Sequence, residues 1–405
     1  MKKVLYINTL IGKGGAARIA YELFENIKKY DFETKFLTSK NFSENKNEDI
    51  IEYLDQTNQR ILIKKLEKNT GLLDFFNFKS YNIHNLKEFK QADIIHLHNM
   101  HGGYFSPLGM LFFINKPVIW TLHDEQSFTG HCAWTYDCEK WQTKCRNCNN
   151  FFGYPKISKD TTAFLFGTKK LVYKVIKPTV ICPSEWLKKR AEKSILGNFD
   201  IRQINYGIDE NLFKPYDKLE ARKELNLPLD KTILFFSSDG SLKNPAKGGQ
   251  YIQKTYEHFK SNKDILFVCT GGKKRNYRND NFLEFEYIHN ENIMAKFYSA
   301  SDLFIYPSLA DNSPLVVLES LACQTPVITF NTGGIPEQVS HMESGYIAKY
   351  EDENDFIKGI ELFLSDKGLI DKAGIKARQT IEEKFTIDKM IFEYVKLYGE
   401  MSDKK

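Results

Sequence analysis

Short apolar runs rich in Val, Ile and Phe alternate along the whole chain with longer segments of helical periodicity. This is the pattern of parallel strands buried on both faces and joined by helices. In the first half the runs at 4–10, 34–38, 93–97, 117–122 and 179–182 read as strands, most of them followed by a helix. In the second half, strands at 232–238, 265–270, 303–306 and 327–330 alternate with helices over 247–260, 293–300 and 314–323. Two such series predict an α/β protein made of two facing, doubly wound, Rossmann-like domains. The first should span 1–205, with a Cys-rich insertion at 130–150, and the second 218–385. Between them 206–217, YGIDENLFKPYD, loses periodicity and carries a Gly and a Pro, so it reads as the linker. The segments 354–364, 369–384 and 386–400 read as helices, and the terminal piece, 386–405, is expected to pack back on the N-terminal domain.

A length of 405 residues agrees with two cores, and 42% hydrophobic residues with only 24 Gly and 12 Pro excludes a disordered or collagen-like chain. The densest apolar stretch, 108–114, is far short of the roughly 18 residues of a membrane span. The first ten residues lack the long apolar region of a signal peptide, which predicts a cytoplasmic protein. Charge is uneven: residues 1–180 carry 26 Lys and Arg against 18 Asp and Glu, whereas 181–405 carry 31 against 34. The excess concentrates in 151–190, where 9 basic groups meet 2 acids, so an anionic surface is a candidate neighbour.

The first strand runs into Ile11-Gly12-Lys13-Gly14-Gly15-Ala16-Ala17 and then a helix. Glycines there let the backbone approach a phosphate held by the free N–H groups of the helix start, although a tight turn uses glycine for steric reasons too. A nicotinamide site would also want an acid about 20 residues on. The chain reads Leu37-Thr38-Ser39-Lys40 there, which counts against a dehydrogenase. In 307–337, Ser313 suits an N-cap and Pro314 a first helical residue, so a helix should open just after Asp311. Glu319 then falls on the apolar stripe, where a carboxylate needs a partner: ribose hydroxyls, or a neighbouring Lys or Arg.

Asp311-x7-Glu319, followed by Thr325-Pro326-Val327-Ile328 and Gly333-Gly334-Ile335-Pro336-Glu337, resembles the E-x7-E signature of retaining, nucleotide-sugar-dependent glycosyltransferases of the GT-B fold, family 4. The likeness extends to the Gly14-Gly15 loop, Thr121-Leu122-His123-Asp124, Pro183-Ser184-Glu185-Trp186-Leu187, Tyr206-Gly207-Ile208-Asp209 and Lys247-Gly248. It implies that Glu319 holds the nucleotide ribose, that Asp311 bonds donor-sugar hydroxyls, and that Asn312, Ser313, Pro314 and Leu315 flank the donor. Gly14 and Gly15 would approach the pyrophosphate, Lys247 would neutralise it, and His123 would stand beside the reacting sugar. Two departures matter. The first acid is Asp where Glu is commoner, and the family's Arg before the Lys falls near Ser241, leaving Lys243 to assist Lys247. The donor would be a nucleoside diphosphate sugar, no catalytic metal is called for, and the active site would lie in the interdomain cleft.

His96 and His98 close the strand before His123 and, by alternation, share one face, where they could reach an acceptor or serve the core. Cys132, Cys138, Cys145 and Cys148, interleaved with Trp134, Tyr136 and Trp141, suit either a closed structural zinc site or four reduced thiols. Phe164 to Lys177 pairs apolar residues with Lys169, Lys170, Lys174 and Lys177; it could lie on an anionic leaflet or be a solvated helix face. No nucleic-acid recognition motif accompanies the charge. The reading that follows is a retaining hexosyltransferase acting on a glycan or lipid-linked acceptor in bacterial surface polysaccharide biosynthesis, cytoplasmic or peripheral on the inner face of the membrane. The rivals are a sugar-nucleotide epimerase of the same fold and a non-catalytic glycan- or nucleotide-binding protein.

Overall fold

The computed structural model describes residues 1–43, 47–55, 57–272, 276–279 and 281–403. The chain divides into two compact units, one of Met1–Asn205 with Ile391–Lys405, the other of Tyr206–Met390. No helix among the described residues is long and apolar enough to cross a membrane.

In the first unit, strands β1 (Lys2–Ile11), β2 (Phe32–Asn41), β3 (Ile50–Ile51), β4 (Ile94–Leu97), β5 (Val118–Thr121), β6 (Thr179–Cys182) and β7 (Ile201–Gln203) form one sheet, ordered β3-β2-β1-β4-β5-β6-β7. All its pairings are parallel. Every residue of β4, β5 and β6 is buried, as expected of central strands covered by helices on both faces. The order reverses direction between β1 and β4, so the loops after those two strands diverge and leave a crevice at their carboxyl ends.

The second unit repeats the plan with β8 (Thr232–Ser237), β9 (Ile265–Gly272), β10 (Asn276–Asn279), β11 (Phe282–Glu286), β12 (Leu303–Tyr306), β13 (Val327–Phe330) and β14 (Gly345–Ala348) in the order β10-β11-β9-β8-β12-β13-β14. Only β10 runs antiparallel to its neighbour. Its switch point lies between β8 and β12, which puts the loops 238–248 and 307–314 at the edge where ligands of such sheets bind.

The last helix, Ile387–Asp403, reaches into the interior of the first unit with two tyrosines. The hydroxyl of Tyr394 bonds Thr121 at 2.7 Å, and that of Tyr398 meets His96 Nδ1 at 2.6 Å and the Tyr6 hydroxyl at 2.8 Å. His96 Nε2 is taken up by Thr121 Oγ1 at 2.8 Å. His96 is therefore a fully buried core residue with both ring nitrogens engaged within the fold. His98, also buried, stacks on Tyr6 and bonds His123.

Burial drives His96 and His98 well below the ordinary histidine value, so both are neutral in the folded protein. The unfolded chain takes up protons on these rings near pH 6.5 and the folded chain does not, so their stabilisation is complete above that pH and declines below it. The melting temperature is expected to fall on acidification from about pH 7 to about pH 5, and the slope to flatten in His98→Gln. A level profile in the parent protein would contradict a neutral buried pair.

Candidate functional site

In the second unit the carboxyl edge of β12 carries Asp311, nearly buried and held by three donors. Lys247 Nζ donates to Oδ1 at 2.5 Å, while the Tyr306 hydroxyl at 2.9 Å and Ser308 Oγ at 2.5 Å donate to Oδ2. Burial and the charge of Asp311 raise the Tyr306 phenol well above its usual range, which keeps it a neutral donor. Lys247 comes from the single-turn helix Pro245–Lys247, clamped to the β12 exit because Ala246 O accepts from Leu309 N at 2.9 Å and Ser308 Oγ at 3.2 Å. Gly333, at φ +55°, closes the other side. A Cβ there would stand 1.7 Å from the carbonyl oxygen of Asp311, so only glycine lets the two loops touch.

The following helix is Leu315–Ala322, and Glu319 lies on it, buried, accepting from the Tyr298 hydroxyl at 2.9 Å. A phenol is thus one partner of this carboxylate. The helix starts one residue later than its sequence suggests: Pro314 occupies the N-cap. Ser313 does not cap because its hydroxyl accepts from Gln338 Nε2 at 2.9 Å. Asn312 is buried, and its carbonyl accepts from Gly334 N at 3.0 Å, so residues 311–315 form a braced turn over a helix start. Lys243 is exposed on the short helix Ser241–Lys243. Tyr298, Tyr306, Ser308 and Gln338 were not singled out by sequence reasoning; the one available signal was Tyr306-Pro307-Ser308 closing a strand just before Asp311.

In the first unit the glycine loop serves two purposes. Gly12, at φ +80°, packs against the backbone of Phe42 and Ser43, a steric requirement. Gly14, at φ +87°, would place a Cβ in open space, and it is the N-cap of the helix Gly15–Asn26, whose first N–H groups face outward beside it. His123 follows β5 and meets His98 Nδ1 through Nε2 at 3.1 Å. Burial lowers its pKa to about 4 against the opposing charge of Asp124, so it is a neutral imidazole at physiological pH. Asp124 in turn accepts from His101 Nε2 at 2.7 Å and from Gln126 N at 2.9 Å.

The Cys-rich insertion is pinned to this unit by buried charge. Glu125 accepts from Thr135 N at 2.8 Å and pairs with Arg190, whose guanidinium lies between Trp141 and Trp186 at 4.6 and 5.0 Å. Cys132, Cys145 and Cys148 are half-buried and Cys138 is exposed. His131 Nε2 stands 3.3 Å from Cys132 Sγ and 3.7 Å from Cys148 Sγ, and Gly130 N donates to Cys145 Sγ at 3.2 Å. Burial, reinforced by the other three thiols, pushes Cys132 up to about 12. Among the described residues, however, no three His, Cys, Asp or Glu side chains are disposed to hold a metal ion.

Lys169 departs from its expected place on a solvated or membrane-facing stripe. It is buried on the helix Thr162–Ile176, donating to the carbonyls of Gln126 and Thr129, and burial lowers its pKa to about 8. Phe164 and Leu171 are exposed on that helix, together with Lys170 and Lys174 and, at its C-cap, Lys177.

Residues 217–380 match the family model for glycosyl transferases group 1. The chain is 23% identical over 358 residues to WcaC of Escherichia coli K12, described as a colanic acid biosynthesis glycosyl transferase, covering 82% of this chain and 84% of that one. It is 30% identical over 158 residues, 38% of this chain and 39% of the other, to TuaC of Bacillus subtilis 168, described as a teichuronic acid biosynthesis glycosyltransferase. Sucrose-phosphate synthase from Thermosynechococcus elongatus superposes over 100% of both chains with a TM-score of 0.72 at 18% identity. Anabaena HepE in complex with UDP does so over 99% of this chain and 100% of its own, with a TM-score of 0.65 at 13% identity. The fold is that of the GT-B glycosyltransferases.

Proposed function

We propose that this glycosyltransferase moves a sugar from a nucleoside diphosphate donor to a hydroxyl of a glycan or lipid-linked acceptor, with retention at the anomeric carbon, in building a bacterial surface polysaccharide. The observation that carries the reading is the buried acid pair of the second unit: Asp311 bonded to Lys247 at the edge of β12, and Glu319 within the helix that follows. The colanic and teichuronic acid enzymes among its relatives support the polysaccharide context, and the UDP held by HepE supports the donor class. Glu319 is assigned to ribose hydroxyls and Asp311 to hydroxyls of the donor sugar. Lys247, with Lys243 and the N–H groups at the start of the Leu315–Ala322 helix, opposes the charge of the departing diphosphate. Asn312, Ser313, Pro314 and Leu315 shape that turn. The open backbone at Gly14 and Gly15 suits an anionic group. His123, being neutral, offers the sugar a hydrogen bond and carries no proton to be titrated in the physiological range. Thermal shift against UDP, GDP, ADP and their sugars tests the donor class, since a ligand bound only by the folded state must raise the melting temperature. No response to any of them would overturn the reading, and product anomers seen by NMR would decide retention.

We propose that the four cysteines form a structural zinc staple that closes only when metal draws the thiols together, supported by His131, whose Nε2 stands 3.3 and 3.7 Å from Cys132 and Cys148 while its Nδ1 bonds Pro155 O at 2.7 Å. About one zinc per chain is expected in protein purified without added metal, and chelation should lower stability without competing with UDP. Metal-free protein with four titratable thiols would refute this.

The exposed face of Phe164, Leu171, Lys170, Lys174 and Lys177 is proposed to contact anionic lipid. Changing the three lysines to Gln should weaken vesicle binding by about 1 kcal/mol each at low salt. Flotation with vesicles containing phosphatidylglycerol checks it; unchanged binding returns the face to plain solvation.

A further inference from the structure

The exposed aromatics just after the Cys-rich insertion are not used by the donor chemistry, and one of them, Tyr154, packs on a polar pair. Tyr154 is 61% exposed, yet its backbone is fixed, since its carbonyl accepts from the buried Ala133 N at 2.7 Å and Ala133 O accepts from Glu125 N at 3.0 Å. Its ring meets the His101 imidazole edge-on, with centroids 5.7 Å apart and planes at 73°. His101 Nε2 is bonded to Asp124 at 2.7 Å, and its buried Nδ1 has no hydrogen-bond partner. Asp124 keeps some access to solvent at the carboxyl end of β5, next to His123. An exposed aromatic ring packed on a histidine that is itself bonded to a partly solvated carboxylate is a pairing that can recognise a sugar ring: the C–H face covers the aromatic surface and a hydroxyl donates to the acid.

We propose that Tyr154, with the Asp124–His101 pair, forms a subsite for a pyranose ring of the acceptor, so that the segment following the Cys-rich insertion selects the glycan to be extended. This rests on the glycosyltransferase reading above. His101 holds Asp124 in place and its ring supports the Tyr154 edge, so His101 is a positioning residue here.

The test uses the full chain, saturation-transfer NMR with a panel of 4-nitrophenyl pyranosides, and separate titrations with UDP and UDP-glucose. In Tyr154→Ala, pyranoside binding should weaken at least about fivefold, a loss on the order of one stacking contact. UDP affinity and melting temperature should be unchanged, because the ring is exposed and lies in the first unit. Tyr154→Trp should restore binding, and Asp124→Asn should weaken it with a different preference among epimers. Three results would overturn the proposal: pyranosides that bind Tyr154→Ala as well as the parent, no saturation transfer to the parent, or an equal loss for UDP-glucose, which would place the ring on the donor sugar. Failure of the underlying reading is separately visible, as a parent protein whose melting temperature responds to no nucleotide.

Discussion

Glu319→Ala is expected to abolish most transfer and to weaken donor binding by about 1.5–3 kcal/mol, the worth of hydrogen bonds to a charged acceptor. Glu319 is buried on the Leu315–Ala322 helix, where Tyr298 donates to its carboxylate at 2.9 Å, so the substitution removes a charged acceptor that the fold already orients. The Tyr298 phenol, raised well above its usual range by burial and by the Glu319 charge, orients the carboxylate without titrating. Tyr298→Phe should therefore cost much less than Glu319→Ala, and Glu319→Gln should fall between, since it keeps the shape and loses the charge. Isothermal titration with the donor identified by thermal shift is the measurement. A folded Glu319→Ala protein with parental affinity would remove Glu319 from the donor site.

The second large effect is expected at Asp311. Its loss leaves the Lys247 ammonium, the Tyr306 hydroxyl and the Ser308 hydroxyl without their shared acceptor. Asp311→Ala should lower stability by about 3 kcal/mol, as does breaking a mostly buried ion pair from one side. Asp311→Asn keeps the volume and should fold, yet lose turnover far more than affinity for the bare nucleoside diphosphate. Pairing Asp311→Asn with Lys247→Gln makes a double-mutant cycle, and a clear coupling energy between them is expected. Additive losses would mean that the pair acts as two independent groups. Equal damage to bare-nucleotide binding would show that Asp311 does not read the sugar.

Much of the architecture was legible because its signals are local. The runs at 93–97, 117–122, 303–306 and 327–330 lie between helical periods, and each contains a strand buried along its length. The motif around Asp311 and Glu319 is likewise confined to one turn and one helix, so its resemblance to a known signature could be read along the chain. The strands β3, β7, β10, β11 and β14 escaped notice for a related reason. They are short, at two to five residues, and β3 and β7 are only partly buried, so pairing with a neighbour and not composition makes them strands.

The amino-acid sequence by itself determined two doubly wound units, the glycine turn after β1 and the acid pair after β12, because each is encoded within a few residues of itself. Only the tertiary structure decided what the isolated polar side chains do, since their partners lie far away in the chain. His96 became a core residue because Tyr398, 302 positions on, and Thr121 take both its nitrogens. Lys169 left the surface because the carbonyls of Gln126 and Thr129 receive its ammonium within the fold. Lys247 and Asp311, 64 residues apart, meet because parallel strands of one sheet end at one edge, a coincidence that hydrophobic periodicity does not record. A buried polar group is placed by whichever partner satisfies it, and that choice is made only when the chain has closed on itself.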